Sequence, residues 1–212
     1  MTAAGSSIPW TQLAGTAVFA AAREQMSWDP RRRFHNFDHV VRLYHHAAKT
    51  FGFVYDRALD LAILAHDVIN DGNLDCELRS VAWLRDHLPE GAEDPDFEKA
   101  ASLIRSTIDH GVTTDLRLVL LDLADFAIPQ VADANTRLLA EEVSRMHGID
   151  RDAFASSCGD YLEGLRRRFR RVPCELDGRG FEVWAKRADE ILAGINRTRR
   201  ALAAGVPETI GA

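Results

Sequence analysis

The chain has 212 residues, of which 46% are hydrophobic and 27% are charged, a composition typical of globular proteins with a substantial core. Its formal net charge of −6 at pH 7 disfavours broad binding to nucleic acid or to anionic membranes. The three cysteines, Cys76, Cys158 and Cys174, are odd in number and far apart, which disfavours a disulfide framework and a thiolate zinc site. These features favour one domain over residues 1–212 and a location in the reducing cytoplasm.

Apolar residues recur with helical periodicity along nearly the whole chain, and no run alternates as a β-strand does. The fold class is therefore predicted to be all-α. The first apolar run is too short to span a bilayer and is interpreted as part of the first helix. Capping and breaking residues predict helices, caps included, at about 10–26, 36–52, 56–68, 75–87, 96–110, 115–128, 133–147, 150–170 and 180–203.

One stretch places ionisable groups in an apolar segment, because His66 and Asp67 stand at the end of the third predicted helix. Burying such a pair is costly unless a metal ion or a polar partner satisfies it. His39, at the start of the second helix, and Asp125, in the sixth, offer two further ligands. Imidazole nitrogens with carboxylate oxygens and no sulfur suit Mn²⁺, Mg²⁺, Fe²⁺, Ni²⁺ or Zn²⁺. The alternative is a buried hydrogen-bonded network that stabilises a helical core.

The order His…His-Asp…Asp resembles the ligand set of the HD superfamily of metal-dependent phosphohydrolases. The resemblance implies that His39, His66, Asp67 and Asp125 bind a divalent metal ion. The similarity is closest to the branch known only as predicted HD phosphohydrolases, and it is carried by the segments 33–39, 66–67, 77–80, 106–110 and 124–128.

An HD-domain helical bundle is the architecture that the resemblance implies. Its metal-site core would span about 30–130, and additional C-terminal helices would follow at about 131–203. The chain departs from the family pattern at four positions, where polar contacts to the substrate are expected to differ: Phe34, Asn70, Cys76 and Leu123.

The resemblance also implies roles beside the metal. Glu77, His110 and Asp67 would be the catalytic groups, and Arg33 and His35 would bind the substrate. From the residues alone, Glu77 is equally explained as a first-turn glutamate and His110 as a cation at a helix end, both favoured by the helix dipole. His35 is equally explained as a capping residue.

Other cations near these motifs are interpreted as surface groups. Arg31 and Arg32 are predicted to be solvated, although each could bind a phosphate. His45 and His46 are predicted to lie on an exposed helix face, and His87 is predicted to be a plain helix-end residue.

The expected function is metal-dependent hydrolysis of a phosphate ester or anhydride in a small molecule, with a nucleotide as the first candidate. One alternative is a dinuclear iron oxygenase of HD type, in which His87 and His110 would supply additional ligands. The other is a non-catalytic regulatory module that binds a metal. The expected partner is a small phosphorylated substrate, and the oligomeric state stays open, with a homodimer as one option.

Overall fold

The computed structural model describes residues 8–108, 115–127 and 129–150, together with 153, 154 and 193. Every regular element among these residues is helical, so the prediction of an all-α fold is confirmed for this part of the chain. None of the described helices is long and apolar enough to cross a membrane. Of the helices predicted at 150–170 and 180–203, only residues 150, 153, 154 and 193 are described, so these two predictions lie outside what the structure describes.

Seven α-helices follow one another in the described part of the chain: α1 (Ala17–Ser27), α2 (Phe37–His45), α3 (Arg57–Ala65), α4 (Cys76–His87), α5 (Phe97–Arg105), α6 (Arg117–Leu123) and α7 (Pro129–His147). Helix α2 continues as a π-helical turn, His46–Phe51, which ends at the left-handed residue Gly52. Short 3₁₀ turns at Gly91–Glu93 and Ala124–Ala127 precede α5 and α7.

Helix α3 is the centre of the fold. Its residues 58–65 are all buried, including the carboxylate of Asp60, and it packs against α1, α2, α4, α5 and α6. Asp56 begins the helix, because its side chain accepts hydrogen bonds from the N–H groups of the first turn. The nearly apolar sequence thus forms a helix surrounded by others, and its C-terminal end carries His66 and Asp67 into the interior.

The first helix begins later than the sequence predicts. Thr16 is its N-cap, since the Thr16 hydroxyl accepts a hydrogen bond from the N–H of Phe19 at 3.3 Å. Gly15 has a φ of 89°, a left-handed conformation that ends any earlier helical turn. Trp10 also has a positive φ, of 72°, and its indole N–H donates to the carbonyl of Phe53 at 2.9 Å. The segment before α1 is therefore held on the core in a non-helical conformation.

The predicted turn after α3 contacts the last described helix. Gly72 has a φ of 89°, and a Cβ there would lie 3.2 Å from the side chain of His147 and 3.3 Å from that of Met146. Only glycine allows this close approach without strain. Helix α7 itself begins at Pro129 rather than at 133, because the fixed φ of proline suits the first position of a helix.

Candidate metal centre

Four side chains from three regions of the fold converge in the interior. Asn36 caps α2 by accepting a hydrogen bond from the N–H of His39 at 3.2 Å, which places His39 in the first turn. His66 and Asp67 follow directly after α3, and Asp122 lies in α6. One ligand atom from each of His39, His66, Asp67 and Asp122 lies within 4.8 Å of the other three. We call these four residues the His/Asp cluster, and it could hold a metal ion.

Imidazoles and carboxylates alternate around the cluster. Nε2 of His39 lies 3.1 Å from Oδ1 of Asp122 and 3.8 Å from Oδ2 of Asp67. Nε2 of His66 lies 3.0 Å from Oδ2 of Asp67 and 3.9 Å from Oδ1 of Asp122. Each nitrogen thus faces two carboxylate oxygens, an arrangement that suits a shared cation.

Three buried atoms of the cluster residues make no hydrogen bond of acceptable geometry: Nδ1 of His39, Nε2 of His66 and Oδ2 of Asp67, the last two of which lie 3.0 Å apart. Nδ1 of His66 lies 3.0 Å from the carbonyl oxygen of Ile63, which can only accept, so Nδ1 carries a proton. In the neutral ring, Nε2 then presents a lone pair to the cluster, as a metal ligand must. Because unpartnered polar atoms are rare in protein interiors, this donor set fits a divalent cation.

Charge pairing shifts the pKa values in the cluster. Burial by itself would lower the pKa of His66, but Asp67 and Asp122 outweigh it and raise the pKa to about 10. Burial would raise the pKa of Asp67, but His66 and His35 outweigh it and hold that pKa well below its ordinary value. A cation bound by the cluster would compete with the proton on Nε2 of His66, so metal binding should weaken as the pH falls through the raised pKa of His66.

Sequence reasoning assigned the fourth ligand to Asp125, but the structure places Asp122 in the cluster instead. Asp125 accepts hydrogen bonds from Nε2 of His46 at 2.8 Å and from Nε of Arg42 at 2.5 Å. Its Oδ2 lies 3.9 Å from Nδ1 of His39, the ring nitrogen that does not face the cluster. Burial would raise the pKa of Asp125, but His39 and His46 hold it far below its ordinary value. Asp125 therefore lies behind His39, where a carboxylate can orient a ligating ring.

The prediction of a solvated helix face is correct for His45 and wrong for His46. His45 is exposed, whereas His46 is 6% exposed and bonds through Nδ1 to the hydroxyl of Thr50 at 2.9 Å. A signal was present in the sequence, because His46 follows His39 by seven residues and so shares its helix face.

Arg32 was predicted to be solvated, but it is only 7% exposed. Its side chain hydrogen-bonds to two separate segments of the site. Its guanidinium donates to the carbonyl oxygens of His35 at 2.6 Å and of Val68 at 3.1 Å, and also to that of Asp67. Arg32 thus joins the loop before α2 to the residues after α3. Arg31 is exposed, as predicted, and pairs with Asp29.

The two predicted substrate-binding residues differ in position. Nε2 of His35 lies 4.0 Å from Oδ2 of Asp67, so His35 stands at the edge of the cluster. Burial would lower the pKa of His35, but Asp67 and Glu142 raise it to about 9. The side chain of Arg33 is half exposed, and its Nε lies 3.7 Å from a carboxylate oxygen of Glu141.

Two other candidates, Glu77 and His87, are described by the structure and are not among the cluster residues. Glu77 is half-buried in the first turn of α4, and its catalytic role stays a prediction. His110 lies outside the described residues. His87 bonds to the carbonyl of Trp83 at 2.8 Å and stacks on the Trp83 ring, in agreement with its interpretation as a helix-end residue.

The cluster is more accessible at one side. The side chains of His39 and His66 are 0% and 1% exposed, whereas those of Asp122, Asp67 and His35 are 12%, 15% and 22% exposed. Within the described part of the chain, a small molecule would therefore approach from the side of the carboxylates and His35.

Comparisons of the chain with family models, curated proteins and solved structures found no match. The assignment of the site therefore depends on its own residues. Two imidazoles and two carboxylates that could hold a metal lie together in a helical fold, which is consistent with an HD-like fold.

Proposed function

We propose that this chain is a metal-dependent phosphohydrolase of HD type that acts on a small phosphorylated molecule, with nucleotides as the first candidates. One observation carries the proposal. One ligand atom from each residue of the His/Asp cluster lies within 4.8 Å of the other three. The 3.0 Å contact between Nε2 of His66 and Oδ2 of Asp67 lacks the geometry of a hydrogen bond, so a shared cation would stabilise these polar atoms. The chain order of His39, His66, Asp67 and Asp122 also keeps the His…His-Asp…Asp pattern of that superfamily.

The four cluster residues would hold one divalent ion, and their nitrogen and oxygen donors suit Mn²⁺, Mg²⁺, Fe²⁺, Ni²⁺ or Zn²⁺. Such an ion would supply Lewis acidity to a phosphoryl oxygen and would lower the pKa of a water molecule beside it. Asp125 would keep the ring of His39 in place from the opposite side, since its carboxylate faces the other ring nitrogen.

The remaining groups would bind the substrate and move protons. Because the protein is acidic, a phosphate needs local donors, and His35 offers one at the accessible side of the cluster. Arg33, on the same loop, is the second proposed donor. Glu77 is proposed to accept or donate a proton, and His110 is proposed to share this role.

A substrate screen tests this function. We expect hydrolysis of at least one compound from a panel of nucleotides, sugar phosphates and nitrophenyl phosphate esters, with each of the five metals supplied separately. His66→Ala should abolish turnover, because it removes a ligand. His45→Ala is the matched control and should leave turnover unchanged, since His45 is exposed.

The screen also separates the alternatives. A second outcome is that the protein hydrolyses no phosphate compound but consumes an organic substrate when reduced iron and oxygen are supplied. That result would contradict the hydrolase proposal and favour the oxygenase. The position of His87 against Trp83 disfavours that alternative, because His87 is outside the cluster. Metal binding with no turnover of any compound would favour the regulatory module.

A further inference from the structure

Glu142 is a buried carboxylate that the sequence analysis did not single out. It lies in α7 and is 2% exposed, and an isolated carboxylate at such a position would be costly. Its partners among the described residues lie in the loop before α2 and in the turn after Asp67, next to residues of the His/Asp cluster.

One oxygen of Glu142 binds three successive backbone groups. Oε2 accepts hydrogen bonds from the N–H groups of Arg33 at 2.6 Å, Phe34 at 2.7 Å and His35 at 3.1 Å. Consecutive N–H groups that converge in this way form a concave site for an anion. Helix α7 therefore fixes the backbone of the loop that leads into α2 and His39.

The other oxygen of Glu142 binds the ring of His35. Oε1 lies 2.5 Å from Nδ1 of His35, and it also accepts a hydrogen bond from the side chain of Asn70 at 3.4 Å. The other four hydrogen bonds of the Glu142 carboxylate all come from N–H donors, so the carboxylate acts as an acceptor. Nδ1 of His35 is therefore the donor in the fifth bond and carries its proton. Nε2 of His35 is thereby directed to the cluster, 4.0 Å from Oδ2 of Asp67.

We propose that Glu142 is a positioning residue for His35, which it orients so that Nε2 faces the accessible side of the His/Asp cluster. A carboxylate that holds one ring nitrogen and fixes the direction of the other is a common arrangement in catalytic and metal sites. The effect on turnover depends on the proposed function, whereas the orientation of the ring does not.

Glu142→Gln separates the two roles of the carboxylate. The glutamine oxygen can replace Oε2, because three backbone N–H groups still need an acceptor. The glutamine nitrogen then faces Nδ1 of His35 and can only donate. The loop should stay in place, while the hydrogen bond from Nδ1 of His35 is lost.

Nitrogen-15 NMR of the metal-free protein tests the orientation. We expect a proton bound to Nδ1 of His35 in the wild type, with the downfield resonance of a short, charge-assisted hydrogen bond, and we expect that resonance to vanish in Glu142→Gln. Glu98→Gln, the same change at an exposed position of α5, should keep it. An unchanged His35 resonance in Glu142→Gln would overturn the proposal.

A double-mutant cycle with His35→Ala tests the consequence for function, with the best phosphate compound from the screen. We expect Glu142→Gln to lower kcat/KM by about 10-fold or more while the metal content stays within about twofold. In the His35→Ala background the same change should have almost no further effect, because the two residues would act as a pair. Additive losses, or loss of the metal together with activity, would overturn the positioning role. If no compound is hydrolysed, the proposed function fails, and the NMR experiment still decides the orientation.

Discussion

Asp122→Asn is expected to weaken binding of the divalent ion by more than about 100-fold, a larger loss than a residue behind a ligand typically causes. Asparagine keeps the size of the side chain but removes the negative charge of the carboxylate, whose Oδ1 lies 3.1 Å from Nε2 of His39. Calorimetric titration with Zn²⁺ and Mn²⁺ measures the affinity directly. The rise in melting temperature that the metal causes should also disappear, since that rise reflects binding to the folded state.

Asp125→Asn is the matched comparison, because it makes the same chemical change three residues later. We expect a smaller loss of affinity, of about 10-fold, since Asp125 faces His39 from the side away from the cluster. If binding were lost in Asp125→Asn and kept in Asp122→Asn, Asp125 would be the fourth ligand, as the sequence resemblance implied. That result would contradict the assignment of Asp122.

Arg32→Met is expected to lower the free energy of unfolding by about 3 kcal/mol, because it leaves buried carbonyl groups without a donor. The guanidinium of Arg32 donates to the carbonyl groups of His35, Asp67 and Val68, which lie on both sides of the site. Urea denaturation of the metal-free protein measures the change. Metal affinity should fall as well, since Asp67 is one of the cluster residues.

Arg31→Met is the control on the same loop. Arg31 is exposed and pairs with Asp29 at the surface, so its loss should leave the denaturation midpoint nearly unchanged. Equal midpoints for the two variants would contradict the role of Arg32.

Local sequence signals predicted most of the described helices. Asp56 and Asn36 cap α3 and α2 as expected, because each carries a short oxygen acceptor just before an apolar periodic run. The central position of α3 agrees with its nearly apolar sequence, which leaves almost no polar face for solvent. The start of α1 was wrong, because the chain before it is held by the bond between Trp10 and the carbonyl of Phe53, a contact across 43 residues that periodicity does not reveal.

Three members of the cluster, His39, His66 and Asp67, were predicted from their residue types and from the apolar segments around them. The choice between Asp122 and Asp125 was beyond the sequence, because positions three apart lie on nearly the same face of a helix. The change from α6 to a 3₁₀ turn at Ala124 separates them.

The supporting residues were harder to predict than the cluster. Glu142 acts on a loop more than 100 positions earlier in the chain, and Arg32 lies in a run of arginines that resembles an exposed surface. Both depend on tertiary contacts with backbone groups, which leave no periodic pattern in the sequence. Most of their hydrogen-bond partners are distant in the sequence, such as Val68 for Arg32 and Phe34 for Glu142.

We infer that the His/Asp cluster holds one divalent ion, and a crystal of the protein loaded with Zn²⁺ or Mn²⁺ tests this inference. The anomalous difference map at the absorption edge of the metal should show one peak, bounded by Nε2 of His39 and His66 and by carboxylate oxygens of Asp67 and Asp122. A peak beside Asp125 and His46 instead, or no peak in the protein interior, would contradict the inference.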